Sequence, residues 1–104
     1  MKKGEKFKGE ISRDGDVLFA DANIEIDDEG EYTTLGSPGY WFQLTLEDSP
    51  NLKRGDRCEL NCESGKFQVD VCENINAGLL TFLTFNVRKG WDESRSKWIP
   101  IPYQ

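Results

Sequence analysis

The sequence contains no histidine, and this absence excludes a large group of catalytic sites. Histidine is the side chain that most often transfers protons near neutral pH, and it is also the commonest metal ligand. Ser-His-Asp and Cys-His hydrolases, H-E-x-x-H zinc proteases and zinc deaminases all need an imidazole at a fixed place. A chain without histidine contains none of these sites.

Long apolar runs are also missing, because no stretch approaches the roughly 20 residues of a membrane-spanning helix. Residues 1–8 begin with positive charge but are not followed by the apolar segment of a signal peptide, which predicts a cytoplasmic protein. A composition of 37% hydrophobic and 31% charged residues is typical of soluble globular proteins. We therefore expect residues 1–104 to form one soluble domain that does not associate with a membrane.

Cysteine is scarce and odd in number, since Cys58, Cys62 and Cys72 cannot all pair within one chain. If Cys58 and Cys62 lie on one strand, they are about 13 Å apart, too far for a disulfide or a shared metal ion. A zinc site completed by a carboxylate is the alternative. We expect free thiols that pack as small hydrophobic groups, with no metal and no cofactor.

Glycine-rich phosphate loops are missing as well. The segment Gly36-Ser37-Pro38-Gly39 has a proline where backbone N–H groups are needed, and no Gly-Lys-Ser/Thr follows it. Carboxylates are plentiful, but no pair is marked by an apolar pocket of the kind that separates an acid from a base. We therefore expect that the protein is not an enzyme and that it has no catalytic residues.

What the sequence does contain is alternation of apolar and polar residues. The clearest example is residues 40–47, where Tyr40, Phe42, Leu44 and Leu46 occupy every second position. Seven or eight such segments at roughly ten-residue spacing predict an all-β fold, either a small antiparallel barrel or a two-sheet sandwich. The other predicted strands are residues 6–12, 17–26, 32–34, 57–63, 67–73, 79–87 and 98–103.

Several local signals refine this prediction. Asp14-Gly15 indicates a hairpin turn, and the change from an apolar run to alternation within residues 17–26 indicates a β-bulge. Residues 27–31 and 74–78 are predicted as turn and loop. Residues 79–87 fit a central strand, although a short helix would place their leucines on one face. Two prolines restrict residues 98–103 to an edge strand or a strap.

Negative charge is concentrated in the first half of the chain. Residues 1–50 carry 12 acidic and 5 basic side chains, whereas residues 51–104 carry 7 acidic and 8 basic ones. Such a surface repels nucleic acid and attracts a basic protein surface. The alternatives are a solvated hairpin whose charges prevent edge pairing, and a calcium site at residues 27–31, which lack the spacing of an EF-hand. The candidate partner-binding residues are Asp21, Glu25, Asp27, Asp28, Glu29 and Glu31, together with Tyr40 and Trp41.

Tryptophan is the second unusual feature, because Trp41, Trp91 and Trp98 fall outside the inward alternation. Exposed beside Tyr40 and Gln43, Trp41 would stack on a sugar or a base, or fill a pocket on a partner. Packing against a neighbouring strand is the alternative. A net charge of −6 makes nucleic acid an unfavourable partner.

Taken together, these features predict a non-catalytic protein-interaction module with a basic protein partner. One concrete form is an acidic inhibitor or immunity-type protein that blocks the basic site of a nucleic-acid enzyme. The alternative is a β-barrel that binds a small ligand, such as a sugar or a lipid fragment.

Overall fold

The computed structural model describes residues 1–30, 39–48 and 50–101. This part of the chain is all-β, which confirms the predicted fold class. Its eight strands are β1 Lys6–Arg13, β2 Asp16–Glu25, β3 Asp28–Gly30, β4 Gly39–Leu46, β5 Arg57–Cys62, β6 Gly65–Ala77, β7 Leu80–Asp92 and β8 Lys97–Pro100.

All eight strands belong to one antiparallel sheet in the order β2-β1-β5-β6-β7-β4-β3, and β8 pairs with β7. The sheet curls into a half-barrel, because its two end strands, β2 and β3, are consecutive in the chain. Between them, the N–H of Ile26 donates to the carbonyl of Glu5 at 3.0 Å, and the N–H of Asp27 donates to the carbonyl of Trp41 at 2.7 Å. Two residues therefore join the first edge of the sheet to the last, and the fold is barrel-like.

The core lies inside this curl and follows the alternation of the sequence. Phe42 on β4 and Phe85 on β7 are paired in register, and their rings stack with centroids 5.0 Å apart. Burial of such side chains supplies most of the favourable free energy of folding. The other buried core residues include Ile11, Ile24, Ile26, Tyr40, Leu44, Cys58, Leu60, Val69, Val71, Leu83 and Val87.

The β1–β2 hairpin confirms two of the local predictions. Asp14 and Gly15 form its turn with φ values of 52° and 86°, as the Asp-Gly signal indicated. Gly9 pairs with Ala22, Ile11 with Phe19 and Ser12 with Val17, so β2 carries one extra residue at each of these two steps, the first as a bulge between Phe19 and Ala22. This bulge on β2 was expected from the change of pattern after residue 20, and it bends the strand.

Two segments that were predicted as turn or loop are strands, and those predictions were wrong. Asp28–Gly30 pairs with residues 39–41 of β4, and β6 continues through residues 74–77 in register with β7. In both cases a partner strand satisfies the backbone N–H and C=O groups, which outweighs the local turn preference of Asp, Asn and Gly. The predicted strand 32–34 lies outside the described residues.

Strands β7 and β8 agree with the sequence prediction as far as residue 101, where the described part of the chain stops. β7 is a strand and not a helix, and it lies between β6 and β4 in the sheet. β8 pairs with residues 89–92 of β7 and ends at Pro100. The long β6–β7 hairpin leaves Leu79 at its tip 91% exposed.

Candidate functional site

The register of the sheet builds a row of side chains across five strands. Asp28 pairs with Trp41, Trp41 with Asn86, Asn86 with Asp70, and Asp70 with Arg57. Side chains in register on neighbouring strands lie on the same face of a sheet. Because the residues next to Trp41 and Asn86 point into the core, this row lies on the outer face.

Two hollows flank Trp41 on this outer face, and we call them together the Trp41 groove. The first has a volume of about 220 Å³ and extends towards β6 and the loop before β5. The second has a volume of about 460 Å³ and extends towards β3 and the start of the chain. Trp41 and Glu73 line both hollows. The first hollow is also lined by Arg54, Asp70, Cys72, Asn86 and Arg88. The second hollow is also lined by Lys3, Asp27, Asp28, Gln43 and Thr84.

Gly39 allows the groove to form at the beginning of β4. Its φ is +136°, and a Cβ atom there would lie 2.7 Å from Nδ2 of Asn86, 2.8 Å from the carbonyl of Val87 and 2.9 Å from Cγ of Arg88. Only glycine combines this backbone conformation with so close an approach. The side chains of Asn86 and Arg88 are therefore held against the backbone of β4, next to Trp41.

The loop before β5 forms the opposite wall of the first hollow. Gly55 donates its N–H to the carbonyl of Val71, and the N–H of Val71 donates to the carbonyl of Asp56, both at 2.8 Å. The Asp56 carboxylate also accepts from Arg13 at 3.1 Å. The loop thus continues the pairing of β5 with β6 and holds Arg54 at the hollow.

The charged groups that line the first hollow are the guanidinium groups of Arg54 and Arg88 and the carboxylates of Asp70 and Glu73. Asp70 accepts from Arg57 at 2.9 Å and from Arg88 at 3.3 Å, so two arginines share one carboxylate. Neither Arg54 nor Glu73 forms an ion pair with any residue that the structure describes. Burial, together with the negative charge of Asp70, raises the pKa of the Cys72 thiol to about 11. Cys72 is therefore neutral at pH 7 and is a poor nucleophile.

Trp41 forms the floor of the groove. It is 5% exposed, and its indole N–H is buried without an acceptor among the described residues. A buried Trp N–H usually finds a partner, and leaving such a donor unpaired costs about 1–3 kcal/mol. Tyr40 is 1% exposed and lies in the core. The expectation that Tyr40 and Trp41 are exposed anchors was wrong, because Tyr40 points into the core and Trp41 is covered on the outer face. Further along the same outer face of β4, Gln43 and Thr45 are exposed.

The acidic side chains of β2 have the outward orientation that the sequence predicted. Asp21, Glu25 and Asp27 are exposed. Lys8 lies 3.3 Å from the Asp21 carboxylate and Lys6 lies 3.6 Å from that of Glu25. These ion pairs were not predicted, although the alternation of Lys6 and Lys8 on the first strand of a predicted hairpin is a signal for them.

Asp27 joins the acidic side chains to the groove. Partial burial, and then the negative charge of Glu25, raise the pKa of the Asp27 carboxyl above its ordinary value, and a hydrogen bond from the backbone N–H of Gln43 acts in the opposite direction. The second hollow brings Asp27, Asp28 and Trp41 together.

The other predicted acidic residues lie elsewhere. Asp21 and Glu25 do not line the Trp41 groove. Glu29 lies on β3, where its backbone pairs with that of Tyr40 on β4. Glu31 lies outside the described residues.

The other two tryptophans form a cross-strand pair near the end of the chain. Trp91 and Trp98 are in register, with ring centroids 5.3 Å apart in an edge-to-face arrangement. The Lys66 ammonium lies 4.7 Å from the Trp91 ring centroid and 5.6 Å from that of Trp98. Both rings are half-buried, so at these positions the structure agrees with packing on a neighbouring strand.

Neither a metal-binding cluster nor a membrane-spanning helix lies within residues 1–30, 39–48 and 50–101. Among these residues, no three acidic or cysteine side chains lie together in a way that could hold a metal ion. The same residues contain no helix of sufficient length and apolar character to cross a membrane. Comparison of the chain with known protein families, with curated proteins and with solved structures found no match.

Proposed function

We propose that the protein is a non-catalytic interaction module that docks on a basic surface of a partner protein. The contact is made by the exposed carboxylates of Asp21, Glu25 and Asp27, which we call the β2 acidic face. The observation that carries this proposal is their exposure, with ion pairs among the described residues from Lys6 to Glu25 and from Lys8 to Asp21.

The charge environment of Asp27 supports this proposal. Its raised pKa reflects first partial burial and then repulsion by the negative charge of Glu25. A lysine or arginine of a partner placed against Asp27 relieves this repulsion. Clustered charge of one sign also accelerates the encounter with a partner of opposite charge. An inhibitor or immunity-type protein that covers a basic nucleic-acid site uses the same chemistry.

Cysteine chemistry supports a binding role over a catalytic one. Burial raises the pKa of both Cys58 and Cys72 to about 11, which makes a thiolate nucleophile rare at neutral pH. All three cysteines are free thiols, which fits the reducing environment of the cytoplasm, where we propose that the protein acts.

The docking proposal is tested by affinity capture with matched variants. The protein is immobilised, nuclease-treated lysate of its source cell is applied at low salt, and retained proteins are eluted with a salt gradient and identified by mass spectrometry. We expect a basic protein to elute at moderate salt, because steered contacts weaken as the Debye length shortens.

The decisive comparison is between two double variants with the same change of net charge. The first double variant carries Glu25→Gln and Asp27→Asn and alters the β2 acidic face. The second carries Glu63→Gln and Glu93→Gln and alters exposed carboxylates elsewhere. We expect only the first variant to lose the partner. Equal retention by both variants, or capture of nothing specific by the native protein, contradicts the proposal.

The small-ligand alternative rests on a different part of the molecule. Trp41 is too buried to offer a sugar-stacking face. The first hollow of the Trp41 groove, however, has polar donors that suit a different class of ligand.

A further inference from the structure

We propose that the first hollow of the Trp41 groove binds the oxyanion of a small molecule, a carboxylate or a phosphate, between Arg54 and Arg88. This inference goes beyond the docking proposal, because it concerns a different site and a different class of partner. It rests on the cavity itself, on two arginines at its walls and on the buried side chain of Trp41, which lines it.

The arginines provide the positive charge. Arg54 has no ion-pair partner among the described residues, and Arg88 shares the Asp70 carboxylate with Arg57. The Asp70 carboxylate is thus shared by two guanidinium groups, and the guanidinium group of Arg54, which lines the same hollow, has no carboxylate partner among the described residues. A guanidinium group binds a carboxylate or phosphate through parallel N–H donors, which makes an oxyanion the group that this wall suits best.

Trp41 provides the second, independent observation. Its side chain lines the hollow, the residue is 95% buried, and its indole N–H lacks an acceptor among the described residues. Because an unpaired buried donor is costly, a ligand oxygen that moves within hydrogen-bonding distance of this N–H gains affinity. The two arginines that line the same hollow also favour an acceptor-rich anion over a cation.

The remaining walls restrict the charge of the ligand. Cys72 is a neutral thiol, so it does not repel an anion. Glu73 lines the hollow without an ion pair to any described residue, and its carboxylate opposes a second negative charge. We therefore expect a singly charged oxyanion to bind more tightly than a doubly charged one.

The test follows the indole N–H signals in ¹H–¹⁵N NMR spectra. Trp91→Phe and Trp98→Phe remove the other two indole signals in turn and so assign the Trp41 signal. The ¹⁵N-labelled protein is titrated with benzoate and, separately, with inorganic phosphate at constant ionic strength, up to about 10 mM, which detects affinities in the millimolar range. We expect a saturable shift of the Trp41 signal with at least one probe, and the order of affinities distinguishes a carboxylate from a phosphate ligand.

Two exposed neighbours provide a matched pair of variants. Arg54→Gln removes a cation at the hollow, whereas Lys53→Gln makes the same change of charge one residue away. We expect Arg54→Gln to weaken binding at least about tenfold, the size of one lost charge-assisted hydrogen bond, and Lys53→Gln to leave it nearly unchanged. Glu73→Gln should strengthen the binding of phosphate.

Three results would overturn the proposal: no shift of the Trp41 signal with either probe, equal weakening by the Arg54 and Lys53 variants, or weaker phosphate binding after Glu73→Gln. The spectra also show whether each variant is folded. Glu25→Gln with Asp27→Asn leaves this hollow intact, so failure of the anion site and failure of the docking proposal can be distinguished.

Discussion

Gly39→Ala is the substitution that tests the construction of the Trp41 groove most severely. The structure provides a matched control, because Gly65 has a φ of +137°, against +136° for Gly39. A Cβ atom at Gly65 would meet nothing within 4 Å, whereas at Gly39 it would lie 2.7–2.9 Å from Asn86, Val87 and Arg88. The two alanine variants share the backbone strain and differ in the steric conflict.

The expected loss of stability follows from these two contributions. A non-glycine residue in this backbone conformation costs about 1–3 kcal/mol, which applies to both variants. The extra conflict at Gly39 includes a backbone carbonyl, which cannot rotate away, and overpacking of this kind costs typically about 1–3 kcal/mol more. At about 4–8 °C per kcal/mol for a domain of similar size, the Gly39 variant should melt at least about 4 °C below the Gly65 variant.

Urea denaturation and thermal melting of both variants measure this difference directly. We also expect the Gly39 variant to shift the Trp41 indole N–H signal, since β4 must move away from Asn86, and the Gly65 variant to leave that signal in place. Equal stability losses, or a larger loss at Gly65, would refute the conclusion that close contact at Gly39 positions Asn86 and Arg88.

Three further predictions concern titration and ring contacts. Burial raises the pKa of Cys58 and Cys72 from 9.0 to about 11. Alkylation of these thiols at pH 8, followed by mass spectrometry, should therefore be about a hundredfold slower in the folded than in the unfolded chain. Equal rates would contradict the burial of these thiols. The raised pKa of Asp27 means that the folded state holds this proton more tightly than the unfolded state, so stability is lost as pH rises above 3.8. Asp27→Asn should therefore be more stable than the native protein in urea at pH 7, with a smaller gain at pH 3, and destabilisation at pH 7 would show that the hydrogen bond from Gln43 dominates instead. Lys66→Met keeps the side-chain stem but removes the charge over Trp91 and Trp98, which should cost about 0.5–1 kcal/mol in thermal unfolding; an unchanged melting temperature would show that the ring contact does not stabilise the fold.

The sequence predicts the strands where the signal is local. Alternation in residues 40–46 identifies β4, and the Asp14-Gly15 pair identifies the β1–β2 turn, because both depend only on neighbouring residues. The strand Asp28–Gly30 could not be predicted in the same way. It is three residues long, rich in turn-forming residues, and held in place by pairing with β4.

The candidate site was only partly predictable for the same physical reason. Outward carboxylates at Asp21 and Glu25 follow from the alternation along one strand. The Trp41 groove instead needs the register of β4, β7 and β6, which brings Asn86 and Asp70 into one row with Trp41. Such long-range pairing leaves no pattern within a single segment, so Trp41 was assigned an exposed role although it lies beneath two hollows.

The central claim, docking through the β2 acidic face, is tested most directly by the association rate constant with the captured partner as a function of salt. The measurement compares the native protein with the Glu25→Gln, Asp27→Asn variant and with the Glu63→Gln, Glu93→Gln variant. We predict that the rate constant of the native protein falls steeply with salt, and that only the β2 variant is slow already at low salt. Equal slowing of both variants would show that net charge, and not the β2 acidic face, governs the encounter, and would contradict the account.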